Sequence, residues 1–184
     1  MNVFLLHKNP VVCAQMHCDQ HVRKMVIEYA QLLSTAHRLL DGQLIYRISK
    51  TKNGKWRRTQ EYNLSDVSLN QKLYKATHWN HPSAVWARES SENYEWLFNL
   101  YVALNFEYRY RFGNWNKAVT LEDELSVLPR NISIGEKTKF KLAIKDKTIH
   151  RSTPIQFYRN FYIVDKSRFA TWTKRNKPEW YKVA

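Results

Sequence analysis

The chain has 184 residues, 43% of them hydrophobic with only 4 Gly and 5 Pro, enough to bury one core and unlike a disordered segment. Lys and Arg number 30 against 16 Asp and Glu, a net charge of +14 with a pI near 9.8, which fits a polyanionic partner and speaks against a cationic one. Cys13 and Cys18 lie too close together to staple a fold, and the apolar run Met1 to Leu6 is too short for a signal peptide or membrane span; the expectation is a cytoplasmic protein with no membrane partner.

In chain order, Asn2 to Leu6 reads as a short strand or extended lead-in, limited by Pro10. From Pro10 or Val11 to Leu40, the spacing of Val22, Met25, Val26, Tyr29, Leu32, Leu33, Ala36 and Leu40 predicts one long helix, ended at Asp41-Gly42 by a left-handed glycine cap. Leu44 to Thr51, the turn Lys52-Asn53-Gly54-Lys55, and Trp56 to Tyr62 predict a β-hairpin, since Asn and Gly both tolerate positive φ. Ser65 is the expected cap of a short helix to Lys75, followed by the loop Thr77-His78-Trp79-Asn80-His81. Pro82 to Phe112 reads as a second long helix ended by Gly113, and Thr120 opens a short one ending near Pro129. Residues 130–150 read as an irregular basic loop. Thr153, Pro154 and Gln156 make a capping-box start for a helix to about Trp172, with a tail at about 174–184. The expected fold is mainly α: a single-domain bundle over 1–184 of four or five helices with one basic β-hairpin insertion at about 43–62.

The positive charge is concentrated. From Gly42 to Gln60 there is no acid but Arg47, Lys50, Lys52, Lys55, Arg57 and Arg58, and a second run holds Lys137, Lys139, Lys141, Lys145, Lys147 and Arg151 against the single acid Asp146. Such runs can be a solvated face, but no basic amphipathic helix or lipidation motif points to a membrane, and 7 Trp, 11 Tyr and 8 Phe exceed what the core needs. Nucleic acid is the expected partner.

On the first helix His17, His21, Lys24, Glu28, Gln31 and Thr35 recur at steps of four and three, within an arc of about 80° bordering the apolar stripe. Polar groups beside a core tend to line a cleft floor. Glu28 is the candidate for proton transfer or for stabilising an oxocarbenium ion, Lys24 for an amine nucleophile or for holding Glu28 ionised, and His17 and His21 for acid/base support. An ordinary i, i+4 ion pair beside two hydrogen-bonded histidines is the plainer alternative. Cys13, His17, Cys18, His21, His78 and His81 include metal-ligand types, yet they lack Cys-x-x-Cys knuckles and the His-Glu-x-x-His signature, so no metal is assigned. No Walker loop, dinucleotide fingerprint or nucleophile elbow is present, and no cofactor is expected.

A second group adds nucleic-acid contacts: His81, Trp86 and Arg88 around a helix start, then Arg109, Arg111, Trp115 and Lys117. Arg109 and Arg111 also suit a helix C-terminus for purely structural reasons. Trp180 and Tyr181 in the tail offer stacking surface, or pack as a terminal arm.

Asp19-Gln20-His21 followed by Glu28-Tyr29, and the final Pro178-Glu179-Trp180-Tyr181-Lys182, resemble the phage pyrimidine-dimer DNA glycosylases, also called endonuclease V of the phage type. More broadly, Ala14-Gln15, Lys24-Met25, the run Ala30 to Ala36, Asn80-His81-Pro82 and Trp86-Ala87-Arg88 look like a phage-borne group related to those enzymes. The first likeness covers the two ends of the chain, the second most of it. The resemblance implies an all-helical domain, placed in the cytoplasm of a host cell, that kinks DNA, excises a damaged or modified pyrimidine and cleaves the abasic site through an imine. Glu28 matches the family's catalytic glutamate. The family's nucleophile is the α-amine of a processed N-terminus; here Asn2 is too bulky for routine removal of Met1, which displaces that amine by one residue and leaves Lys24 as the substitute. The expected function is therefore a DNA glycosylase with abasic-site lyase activity on duplex or locally unpaired DNA. RNA stays open as a partner, and the alternatives are a non-catalytic nucleic-acid-binding module or a metal-assisted nuclease.

Overall fold

The first six residues run extended into the interior without joining a sheet. Val3, Phe4 and Leu6 are buried, and the amides of Phe4 and Leu6 donate to the Tyr29 hydroxyl (3.0 Å) and to Cys13 Sγ (3.3 Å). The computed structural model describes residues 1–142 and 153–182, and among these it has seven α-helices and one two-stranded antiparallel sheet. The protein is mainly α with a single β-hairpin.

Helix α1 (Pro10–Met16) starts with Pro10 in its first turn and Asn9 Oδ1 accepting from the amides of Val11 and Val12. It does not continue into α2 (Asp19–Asp41): His17 and Cys18 are extended, so the single helix expected from Pro10 to Leu40 is two. The carbonyls that another turn would have used are taken by distant side chains. Arg111 donates to Gln15 O (2.8 Å) and His17 O (2.8 Å), and the Trp172 indole donates to Met16 O (3.0 Å). Helix α2 buries the predicted stripe from Val22 to Ala36, with Leu40 packed partly buried at its end. Gly42 follows, but at φ −92° it is extended and not left-handed; a Cβ there would lie 2.4 Å from Arg38 O, so close backbone approach is what requires glycine.

Strands β1 (Gln43–Lys50) and β2 (Trp56–Asn63) pair with Leu44 opposite Tyr62, Tyr46 opposite Gln60, Ile48 opposite Arg58 and Lys50 opposite Trp56. The turn differs from the two-residue Asn-Gly type. Gly54 alone has positive φ (77°), and Thr51 and Lys55 close a three-residue loop through Thr51 N to Lys55 O (2.8 Å). A lone hairpin is marginally stable; this one is anchored at its base, where buried Arg38 donates to Tyr62 O (2.8 Å), Tyr74 O (2.6 Å) and Leu73 O (2.8 Å).

Asp66, not Ser65, caps α3 (Val67–Lys72), its carboxylate accepting from the Leu69 amide. The helix expected from Pro82 to Phe112 is also two, α4 (Pro82–Ala87) and α5 (Ser91–Phe112). Ser90 turns extended and caps α5 through its hydroxyl, and Asn93 returns its side-chain amide to Trp86 O (2.8 Å). Helix α5 ends at Gly113 in the left-handed region (φ 83°). A 3₁₀ turn capped by Asn116 (Lys117–Leu121) leads into α6 (Glu122–Ser126), and Thr120 caps nothing. Helix α7 (Pro154–Asp165) has the expected Thr153/Gln156 capping box but stops short of Trp172. Lys145, Asp146, Lys147 and Arg151 of the second basic run lie outside the described residues.

The core forms where α2 and α1 pack on α5 and α4 packs on α2. No helix among the described residues is long and apolar enough to cross a membrane.

Candidate active site and nucleic-acid interface

Glu28 lies on the edge of α2 where the apolar stripe meets solvent, its side chain 15% exposed. Its two oxygens hold two different amines: the α-amine of Met1 at 3.4 Å and Lys24 Nζ at 3.3 Å. The Met1 amine is delivered by the buried lead-in, whose Phe4 amide bonds to Tyr29 of α2 and whose Val3 amide reaches Ser83 Oγ of α4 (3.4 Å). The Met1 side chain is 6% exposed, whereas that of Lys24 is 64% exposed. Helix stability does not account for the cluster. Lys preceding Glu is the weaker i, i+4 order, and such a pair is worth under about 0.5 kcal/mol. A carboxylate held against an amine can take that amine's proton, and it can also face a positive charge that develops on a bound sugar.

The loop of residues 77–81 borders the same cluster. The Thr77 amide donates to Thr35 Oγ1 of α2 (3.2 Å), and His78 sits at φ 47°, a left-handed conformation that non-glycine residues adopt at a cost. His81 caps α4 by accepting from the Ser83 amide at Nδ1 (3.2 Å), which leaves Nε2 free of that bond. Partial burial, then the positive Met1 amine and His78, depress its pKa, with Glu28 pulling the other way; the ring is neutral at neutral pH and lies within the field of the amine–carboxylate pair. Arg88 donates to Trp79 O (2.7 Å) and Ala84 O (2.8 Å), fixing the loop from behind and not reaching outward as a phosphate contact.

His17 and His21 are not part of this site. His17 is wholly buried, bonded to Cys13 O (2.7 Å) and the Tyr29 hydroxyl (3.3 Å), and His21 stacks on Phe4 at 4.3 Å and bonds to the Tyr162 hydroxyl. The lead-in and α7 cover the N-terminal part of the polar stripe; Lys24 is exposed, and Glu28 and Gln31 are half-buried. Burial lowers the pKa of His17 to about 4, that of His21 to about 3, and that of His37, bonded to the Tyr94 hydroxyl (2.8 Å), to about 4. Unfolded imidazoles protonate near pH 6.5, so acidification from there to about pH 4 loads protons on the unfolded chain alone. Each histidine then removes up to about 1.4 kcal/mol of stability per pH unit. Thermal melts are expected to show Tm constant above pH 7 and falling steadily below 6.5; a Tm unchanged down to pH 5 contradicts the neutral buried histidines.

Of the predicted nucleic-acid contacts, Arg47, Lys52, Lys55, Arg57 and Arg58 are all exposed on the hairpin. Arg47 is partly neutralised by Glu61 (3.8 Å), which also binds Lys75 (3.1 Å). Arg109 and Trp115 are exposed and stacked on each other at 4.7 Å, with Lys117 exposed beside them. Trp86 is a correction: it is 1% exposed, because it lies on the inner side of α4, packed on Trp96 and Phe140 with its indole N–H donating to Thr138 O (3.3 Å). Arg111 is another, fully buried between Asp19 (3.1 Å) and Glu107 (2.9 Å). The tail is a packed arm: Tyr181 is buried on Trp172, and the Trp180 indole meets Met16 Sδ (3.4 Å).

The sequence does not single out Trp79, Ser83 or Arg38, and it raises the Met1 amine only through the family resemblance, which sets it aside for Lys24. The apolar lead-in, buried at Val3, Phe4 and Leu6, is the one signal that the chain start is drawn into the fold; nothing local marks the others. Among the described residues no three His, Cys, Asp or Glu side chains are grouped to hold a metal. No protein-family model, curated protein or solved structure matches the chain, and its function is therefore read from the Met1–Lys24–Glu28 cluster and its surroundings.

Proposed function

We propose that this protein is a DNA glycosylase with abasic-site lyase activity on damaged or modified pyrimidines, with Glu28 and an adjacent amine as its reacting groups. The observation that carries this reading is the single carboxylate held between two amines on the edge of α2. The amine gives up a proton to Glu28 or solvent, and its lone pair forms a bond to C1′ of an extruded nucleotide. The base leaves with the glycosidic electron pair, and Glu28 faces the positive charge that builds on the sugar. Nitrogen then loses a second proton, its lone pair opens the sugar ring to a protonated imine as O4′ takes up a proton, and removal of a C2′ proton expels the 3′ phosphate by β-elimination. The Met1 amine, drawn against Glu28 by the buried lead-in, is the better placed nucleophile, with Lys24 paired to the other oxygen of the same carboxylate; that assignment applies where Met1 is the first residue of the mature protein.

The test is incubation with labelled duplexes carrying pyrimidine dimers, oxidised or alkylated pyrimidines, or uracil. Base release followed by strand cleavage on at least one is expected, and unchanged DNA across the panel overturns the reading. Charge on the hairpin has a separate signature. Changing Arg57 and Arg58 to Gln is expected to weaken binding to all DNA alike and to make log K against log salt shallower by about 0.9 for each phosphate no longer neutralised. An unchanged slope would place the phosphate-binding cations elsewhere.

A further inference from the structure

The hairpin leaves both faces to solvent, and one of them is unusual for such a surface. Leu44, Tyr46, Ile48 and Lys50 share it with Trp56, Arg58, Gln60 and Tyr62. Trp56 is 72% exposed and Tyr46 49%, with the Arg58 guanidinium 3.7 Å over the Tyr46 ring and Lys50 Nζ 5.8 Å from the Trp56 ring. Toward the base of the hairpin, Trp79 packs edge-on against Tyr62 (5.8 Å), and a groove of about 550 Å³ opens between Tyr46, Arg57, Arg58, Thr59, Gln60 and Trp79.

We infer that this groove is a stacking site for unpaired bases of a DNA strand, adjoining the Glu28 cluster. Bases stack on aromatic rings and on guanidinium planes alike, and the groove supplies both, with Gln60 on the same face at hand for a base edge. Charge selects the occupant: no acid lies between Gly42 and Gln60, which suits a phosphate backbone and suits neither a cationic peptide nor a second copy of this +14 chain. The position fits as well. Trp79 in the groove lies two residues, at most about 7 Å along the chain, from His81, which bonds to the Ser83 amide (3.2 Å); the Ser83 hydroxyl in turn holds the Val3 amide (3.4 Å) of the lead-in that brings Met1 to Glu28. A strand seated in the groove thus runs on toward the Glu28 cluster. The inference rests on the nucleic-acid part of the proposed function but not on its chemistry.

The test compares binding of oligo-dT, a tetrahydrofuran abasic oligomer of equal length, and a blunt duplex to the intact protein and to Y46A/W56A and W79A variants. The abasic strand keeps every phosphate and lacks every base. Oligo-dT is expected to bind more tightly than the abasic strand by about 5- to 150-fold for each stacked base. Y46A/W56A should lower oligo-dT affinity toward the abasic level and leave abasic binding unchanged. Both residues are exposed, so melting should be unaffected; W79A, which also removes the packing on Tyr62, serves as a second variant read against its own melt. Equal binding of oligo-dT and the abasic strand overturns the inference, as does a base-dependent preference that both variants retain. Undamaged strands are used throughout, so loss of stacking with base release intact, or the reverse, separates this inference from the glycosylase reading.

Discussion

Replacing Glu28 by Gln is expected to lower the rate of base release by about 10²- to 10⁴-fold while leaving DNA affinity and melting temperature close to those of the parent. The amide keeps the shape and one hydrogen-bond acceptor but neither takes a proton from the Met1 amine, 3.4 Å away, nor offers a full negative charge to the sugar. Lys24→Met is expected to do far less, because Lys24 is mostly exposed and reaches the same carboxylate from its outer side. Comparable losses in the two variants would make Lys24 the nucleophile. Full activity in Glu28→Gln would reduce the cluster to a surface ion pair and place the chemistry at other residues.

The largest expected effect on stability belongs to Arg111. Its guanidinium, with no exposure to solvent, binds Asp19 and Glu107 and the carbonyls of Gln15 and His17, tying the end of α1, the start of α2 and the end of α5 together. Asp19 also accepts from Thr171, from the Thr173 hydroxyl and amide, and Glu107 from Arg175. Burial would raise the Asp19 pKa, but the bonds from Thr173, Arg111 and Thr171 outweigh it and hold the carboxyl below its usual range. Arg111→Met removes the shared cation and leaves two buried carboxylates short of partners, a loss of about 3 to 5 kcal/mol. For a chain of this size that is a fall in Tm of about 6 to 20 °C. Arg109→Met, two residues away on the exposed surface, should cost under about 1 kcal/mol. Equal effects would contradict the assignment of Arg111 to the core.

That contrast marks where the sequence is legible. Arg109 and Arg111 have the same local signals, and only the distant Asp19 and α1 carbonyls tell them apart. The hairpin, the Thr153/Gln156 capping box and the buried stripe of α2 depend on neighbours in sequence and are readable. The breaks at His17-Cys18 and Arg88–Ser90 are not, since Arg111, Trp172 and Asn93 satisfy groups that a continuous helix would have bonded itself. Gly42 does stop α2, as its residue type suggests, but through close approach to the backbone of Arg38 and not through a left-handed cap. The periodicity that singles out Glu28 and Lys24 puts His17 and His21 on the same stripe; it carries no information on Phe4 and Tyr162, which cover them. A chain terminus has no periodicity, which is why the pairing of the Met1 amine with Glu28 enters only with the fold.

The pairing of Glu28 with an attacking amine is tested most directly by borohydride reduction of the protein with an abasic-site duplex, followed by peptide mapping of the trapped complex. A covalent adduct on the Met1 α-amine, lost when one residue is added ahead of Met1, is the predicted result. Absence of any adduct with DNA bound, or an adduct on an amine remote from Glu28, would contradict it.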